Sequence, residues 1–164
     1  QDICFVPQGS YASVVEKLRP GAVEPGDIVD GQGNILGQHK GIIHFTIGQR
    51  RGLDLREPAP TGARRYVIDI DPVERRVWVG AEQLLAATVI EAREPIWSGP
   101  VPESGADLLV QIRAHGDDMR ARIELVGDRV VAHLVDPARG VAPGQAMAIY
   151  DGTRVVGSAT IARR

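Results

Sequence analysis

Cys4 is the only cysteine of the chain, and it lies within the apolar run Ile3-Cys4-Phe5-Val6. As a thiolate it could attack sulfur or activated carbon. Buried between Ile3 and Phe5 it would instead be a small hydrophobe, and the residues alone leave both readings open. A second place for chemistry is the stretch from Gly41 to Leu53, where Gln49, Arg50 and Arg51 stand between Gly48 and Gly52 at the end of an apolar run. A turn there can present the amide and both guanidinium groups on one surface, which suits phosphate or sugar contacts. The alternative is that the glycines serve a bulge and the arginines pair with nearby acids. No Gly-Lys-Ser/Thr follows, so the stretch is not a nucleotide-binding phosphate loop. One cysteine and four histidines, His39 and His44 among them, lack the paired spacing of a structural zinc site, and no metal is expected. His39 and His44 read as surface or hydrogen-bonded histidines, and no Ser-His-Asp arrangement emerges.

Composition bounds these options. With 164 residues, 43% of them hydrophobic and 24% charged, the chain has enough apolar material for one core or two small ones. Its net charge of −2 gives no global attraction to nucleic acid, so any RNA contact must come from a local patch. The cations are arginines apart from Lys17 and Lys40, and guanidinium suits bidentate phosphate contacts, although most surface arginines are simply solvated. No stretch reaches the roughly 18 unbroken apolar residues of a membrane span, and no signal peptide is recognisable. A cytoplasmic protein with no membrane partner is expected. Because the sequence opens at Gln1 on an apolar run without an initiator methionine, it reads as a fragment.

The elements that must position these residues are mostly strands. Ser10 can cap a short helix with Tyr11, Val14, Val15 and Leu18 on one face, stopped by Pro20-Gly21. From Pro25 onward short Val/Ile-rich runs alternate with Gly, Asp, Asn and Pro. Strands are predicted over Gly26–Asp30, Gly41–Ile47, Arg65–Ile70 and Arg76–Gly80, the last two joined by a type I turn at Asp71-Pro72-Val73-Glu74. Leu53 to Ala63 reads as an exposed, mobile loop. A second series covers Thr88–Trp97, Leu108–Ala114, Met119–Val126, Arg129–Val135, Gln145–Tyr150 and Arg154–Ala162, with hairpin turns at Gly127-Asp128 and Asp151-Gly152. The fold class expected is therefore mainly β. A small, irregular, mostly-β domain with one short N-terminal helix occupies residues 1–84, and a six-stranded antiparallel β-barrel occupies 85–164.

Several segments taken together resemble the tRNA-specific 2-thiouridylase family. They are Asp2-Ile3-Cys4-Phe5-Val6; Pro25-Gly26-Asp27-Ile28-Val29-Asp30 with Gly33 and Gly37; His39-Lys40-Gly41-Ile42 running into Thr46-Ile47-Gly48-Gln49-Arg50-Arg51-Gly52-Leu53; Val141-Ala142-Pro143-Gly144-Gln145; and Tyr150-Asp151-Gly152. The match spans essentially the whole chain, and the Thr46 to Leu53 segment downstream of Ile3-Cys4-Phe5 is its most specific part.

The resemblance implies a parent enzyme that thiolates the wobble uridine of certain tRNAs at C2. Its ATP and magnesium would be used by an N-terminal ATP-pyrophosphatase domain that this sequence lacks, so the chain alone should neither hydrolyse ATP nor hold a cofactor. Cys4 would be the cysteine that accepts sulfur as a persulfide from a sulfur-relay protein or cysteine desulfurase, its partner cysteine lying in the missing domain. In the barrel, an Arg-Tyr pair and the glutamine after Pro-Gly contact tRNA in the family. These positions correspond to Arg113, Ala114 and Gln145, and Ala114 departs from the pattern because no aromatic is left to stack on a base. Gln49 and Arg50 are further candidate tRNA contacts. Two readings from other classes compete: a noncatalytic RNA-binding barrel of translation-factor type, and a purely structural barrel that buttresses another domain.

Overall fold

The computed structural model describes residues 23–55 and 62–162. Cys4, the helix expected after Ser10 and most of the loop between Leu53 and Ala63 lie outside the described residues. The chain divides into two units between Leu84 and Leu85.

In the first unit, β1 (Gly26–Val29), β2 (Ile35–His39), β3 (Tyr66–Asp71) and β4 (Arg76–Gly80) form one sheet in the order β2-β1-β4-β3. β1 and β2 are an antiparallel hairpin. Its turn is built by Asp30, whose Oδ1 accepts from the backbone N–H of Gln32 and of Asn34, both at 2.9 Å. The Asn34 side chain also donates to the Asp30 carboxyl, and that bond, first among the causes, holds its pKa below the usual carboxylate range. β3 and β4 are antiparallel around the expected turn, where Asp71 Oδ1 accepts from Val73 and Glu74 and Arg75 closes the loop in the left-handed region at φ +53°. β1 runs parallel to β4, with Ile28 opposite Val77. Ile28, Leu53, Val67, Val77 and Val79 form the core.

One expected strand is not there. Gly41–Ile47 holds a 3-10 turn over Ile42–His44, and the strand lies just upstream at Ile35–His39. The reason is periodicity: Ile42 and Phe45, three residues apart, both pack on the core, which a 3-10 turn allows and a strand would not.

The second unit is a closed barrel of six strands: β5 (Ala86–Trp97), β6 (Ala106–Gln111), β7 (Met119–Val126), β8 (Arg129–Arg139), β9 (Ala146–Asp151) and β10 (Arg154–Ile161), in the order β10-β5-β8-β7-β6-β9. Every pairing is antiparallel. Val130, Ala132 and Leu134 turn inward as the alternation predicts, joining Ile90, Ile123, Met147 and Ile149 in the core. Each large side chain so buried contributes about 1.5–3 kcal/mol. The β7–β8 hairpin turns on Gly127-Asp128 as expected, whereas Asp151 pairs with Arg154, so the last hairpin turns on Gly152-Thr153, one residue later than expected. Among the described residues no helix is long and apolar enough to cross a membrane.

Candidate nucleic-acid interface

The loop that carries Gln49, Arg50 and Arg51 is shaped by its own polar groups. Thr46 to Gln49 form a turn closed by the Gln49 N–H on the Thr46 carbonyl at 2.9 Å. Its third residue, Gly48, sits at φ +88°, a conformation that side chains rarely adopt, which is why the segment needs glycine there. The Gln49 amide then fastens both ends of the loop: its Oε1 accepts from the Thr46 N–H at 3.0 Å, and its Nε2 donates to the Arg51 carbonyl at 2.9 Å. Gln49, expected as a tRNA contact, thus has its amide engaged in building the loop. Arg50 and Arg51 are exposed, and no described residue accepts from either guanidinium.

Beneath the loop lies a residue whose part the sequence did not reveal. His39 is buried, with 5% of its surface accessible. Its Nδ1 accepts from the Gly41 N–H at 3.1 Å, so the proton is on Nε2, which donates to the Arg75 carbonyl at 3.0 Å. The ring packs against Phe45 with centroids 5.3 Å apart. Burial lowers the His39 pKa, outweighing the bond to Arg75 and the charge of Asp27, which raise it. The Arg75 carbonyl also explains Gly26, the cross-strand partner of His39. A β-carbon on Gly26 would lie 1.9 Å from that oxygen. The only hint in the sequence was the company of Pro25-Gly26-Asp27 and His39-Lys40-Gly41, whose roles meet at this oxygen.

In the barrel, Arg113 does not lie on a strand as expected. β6 ends at Gln111, because the chain turns back at Arg113 to Gly116, with the Gly116 N–H on the Arg113 carbonyl at 3.0 Å. Gln111 supports this turn, donating to the Gly116 carbonyl at 2.7 Å while accepting from the Tyr150 hydroxyl at 3.1 Å. The exposed Arg113 guanidinium donates to the Gly140 carbonyl at 3.0 Å, at the start of the β8–β9 connection. Gln145 ends that same connection, its N–H on the Ala142 carbonyl at 3.4 Å and its own carbonyl accepting from Ile161 at 2.8 Å. Arg113 and Gln145 are therefore brought to one loop, one as its brace and one at its exposed end. The Gln145 side chain bonds to no described residue. Ala114 is exposed in the turn itself.

Elsewhere on the barrel Arg122, Arg129 and Arg154 sit within 3.5 Å of Asp107, Glu91 and Asp151, ordinary exposed pairs. Among the described residues no group of three His, Cys, Asp or Glu side chains is placed to hold a metal ion.

Two family models match in succession: the tRNA methyl transferase PRC-barrel domain over residues 14–81 and the aminomethyltransferase beta-barrel domain over residues 87–161. A protein of Acidothermus cellulolyticus named tRNA-specific 2-thiouridylase MnmA is 50% identical over 162 residues, covering 99% of this chain and 44% of that protein. Proteins of the same name from Streptomyces avermitilis and Paracoccus denitrificans are 47% and 46% identical, over 98% and 100% of this chain and 42% of their own length. The chain thus spans less than half the length of the curated relatives it matches.

Proposed function

The chain belongs to the tRNA-specific 2-thiouridylase family, matching its central and C-terminal domains, and from that premise we propose that the whole protein is a tRNA-uridine 2-sulfurtransferase. The observation that carries this reading is the succession of two domain matches over residues 14–81 and 87–161, joined to relatives about half identical along nearly the entire chain, a span that takes in Cys4.

In this reading Cys4 accepts sulfur. Its thiolate attacks the outer sulfur of a persulfide on a relay protein or cysteine desulfurase, the S–S bond of the donor breaks, and the donor thiolate leaves. The outer sulfur of the Cys4 persulfide then attacks C2 of a uridine whose oxygen has been adenylated, and AMP leaves with that oxygen. The partner cysteine of the N-terminal domain attacks the Cys4 sulfur, the S–S bond breaks to leave the sulfur on C2, and the two cysteines are left as a disulfide that a thiol reductant reopens. ATP and magnesium belong to the N-terminal domain of the whole protein and activate the uracil. The residues of this chain receive sulfur and hold the RNA in the cytoplasm of the cell.

The barrel's share is tRNA binding at the β8–β9 connection. The Gln145 amide offers a donor and an acceptor to base or sugar, and Arg113, bonded to Gly140, fixes the loop that presents it. Deletion of the gene that carries this chain should remove 2-thiouridine from cellular tRNA. The wild-type gene should restore it and a Cys4→Ser gene should not. Normal 2-thiouridine in the deletion strain would overturn the function, and normal rescue by Cys4→Ser would overturn the role of the thiol.

A further inference from the structure

We propose that Arg64, with Arg50 and Arg51, forms a phosphate-binding edge beside β3 that takes the sugar-phosphate backbone of RNA. The inference deepens the tRNA-binding reading above and rests on it.

β3 is the last strand of its sheet, paired on one side with β4. On its other side lies the Gly48-Gln49 segment. The Gly48 N–H donates to the Val67 carbonyl at 2.8 Å, and the Val67 N–H donates to the Gln49 carbonyl at 2.9 Å. Two residues opposite one is the pattern of a bulged antiparallel bridge. From that bridge the loop runs on to Arg50 and Arg51, while β3 is entered from Arg64 and Arg65. At strand spacings of roughly 5 Å between chains and 3.3 Å per residue, the two arginine pairs start from backbone positions within about 10 Å of each other. Residues fourteen or so apart in sequence are made neighbours by one bridge, a grouping that no local motif reveals.

Arg50, Arg51 and Arg64 are exposed, and no described residue accepts a hydrogen bond from their side chains. Arg65 is half-buried and its charge acts on Asp30, so it is not counted in the edge. The barrel arginines Arg122, Arg129 and Arg154 differ, each being set against a carboxylate. Three solvated guanidinium groups on one edge of a chain whose net charge is −2 make a local basic patch without a global one. The partner it fits is a polyanion with regularly spaced phosphates, because the three exposed guanidinium groups are strung along one edge and each can meet a different phosphate.

The test is fluorescence-anisotropy titration of a labelled tRNA transcript with the 164-residue chain across a salt series. Arg64→Gln should weaken binding about 3- to 10-fold and lower the slope of log affinity against log salt by about 1, and the triple Arg50/Arg51/Arg64→Gln variant should lower the slope by about 2 to 3. Arg122→Gln, whose side chain faces Asp107, should leave both unchanged. Circular dichroism checks that the variants fold. If the wild type binds tRNA and the triple variant keeps its affinity and slope, the phosphate edge is wrong while the tRNA reading stands. If the wild type binds no tRNA even at low salt, the tRNA reading of these domains fails and the edge fails with it.

Discussion

Replacing Gly26 by alanine tests how tightly the first unit is built around the Arg75 carbonyl. The new β-carbon would lie 1.9 Å from that oxygen and 3.0 Å from its carbon, against an ordinary contact of 3.4 Å or more. The carbonyl must therefore retreat by about 1.5 Å, and the obstacle is backbone, not the end of a flexible side chain. That retreat breaks the 3.0 Å bond from His39 Nε2 and leaves a buried donor without its partner, at about 1–3 kcal/mol. Displacing the β4 end of the β1–β4 pairing adds overpacking of about 1–3 kcal/mol. Alanine stiffens the unfolded chain and returns only about 0.4–1 kcal/mol. The net loss is about 1–5.5 kcal/mol, a large part of the stability of a small domain, and the midpoint should fall by about 5–40 °C. The two tryptophans make the assay direct, because Trp78 lies on β4 and Trp97 at the end of β5 in the barrel. In a Trp97→Phe background the fluorescence of Trp78 alone follows the first unit. A midpoint within about 2 °C of the parent would refute the close-approach account of Gly26.

The lowered pKa of His39 makes the first unit sensitive to mild acid. The unfolded chain binds a proton at His39 near the ordinary value of about 6.5, while the buried ring in the folded state resists protonation, so stability is fully present above that value and declines as pH falls below it. Urea midpoints followed by Trp78 should drop between about pH 7.5 and 5.5, and His39→Gln should flatten that window; a wild-type profile already flat would contradict the burial argument. Arg113→Ala removes the brace on Gly140 and should weaken tRNA binding about 10-fold with little change in the barrel's melting temperature. Unchanged tRNA affinity would favour the purely structural reading of the barrel.

The barrel was largely legible in the sequence because its information is local. Val130, Ala132 and Leu134 alternate with outward residues, and Gly127-Asp128 stands where β7 must reverse, so both strands are found within a few residues of their predicted ends. The first unit was less so. Ile42-Ile43-His44-Phe45 has strand-like composition, yet its core contacts at Ile42 and Phe45 follow a three-residue spacing. The parallel pairing of β1 with β4 joins Ile28 to Val77 across the whole unit, and no turn residue announces it. The same distance hid the reason for Gly26 and the part of His39, since both answer to a carbonyl about fifty or forty residues away. At the candidate site, residue types were readable and their engagements were not. Arg50 stands exposed as expected, Gln49 spends its amide on Thr46 and Arg51, and Arg113 braces Gly140 from a turn where a strand was expected.

The most direct test of the account follows the sulfur itself. The whole protein that carries this chain would be loaded with radiolabelled sulfur from a persulfide donor, freed of unbound label, and given tRNA with ATP and magnesium. The account predicts label on the Cys4 peptide that moves into uridine of the tRNA in a single turnover, and no loading or transfer with Cys4→Ser. Label that reaches tRNA equally well in the Cys4→Ser protein, or that stays on Cys4 when tRNA and ATP are supplied, would contradict it.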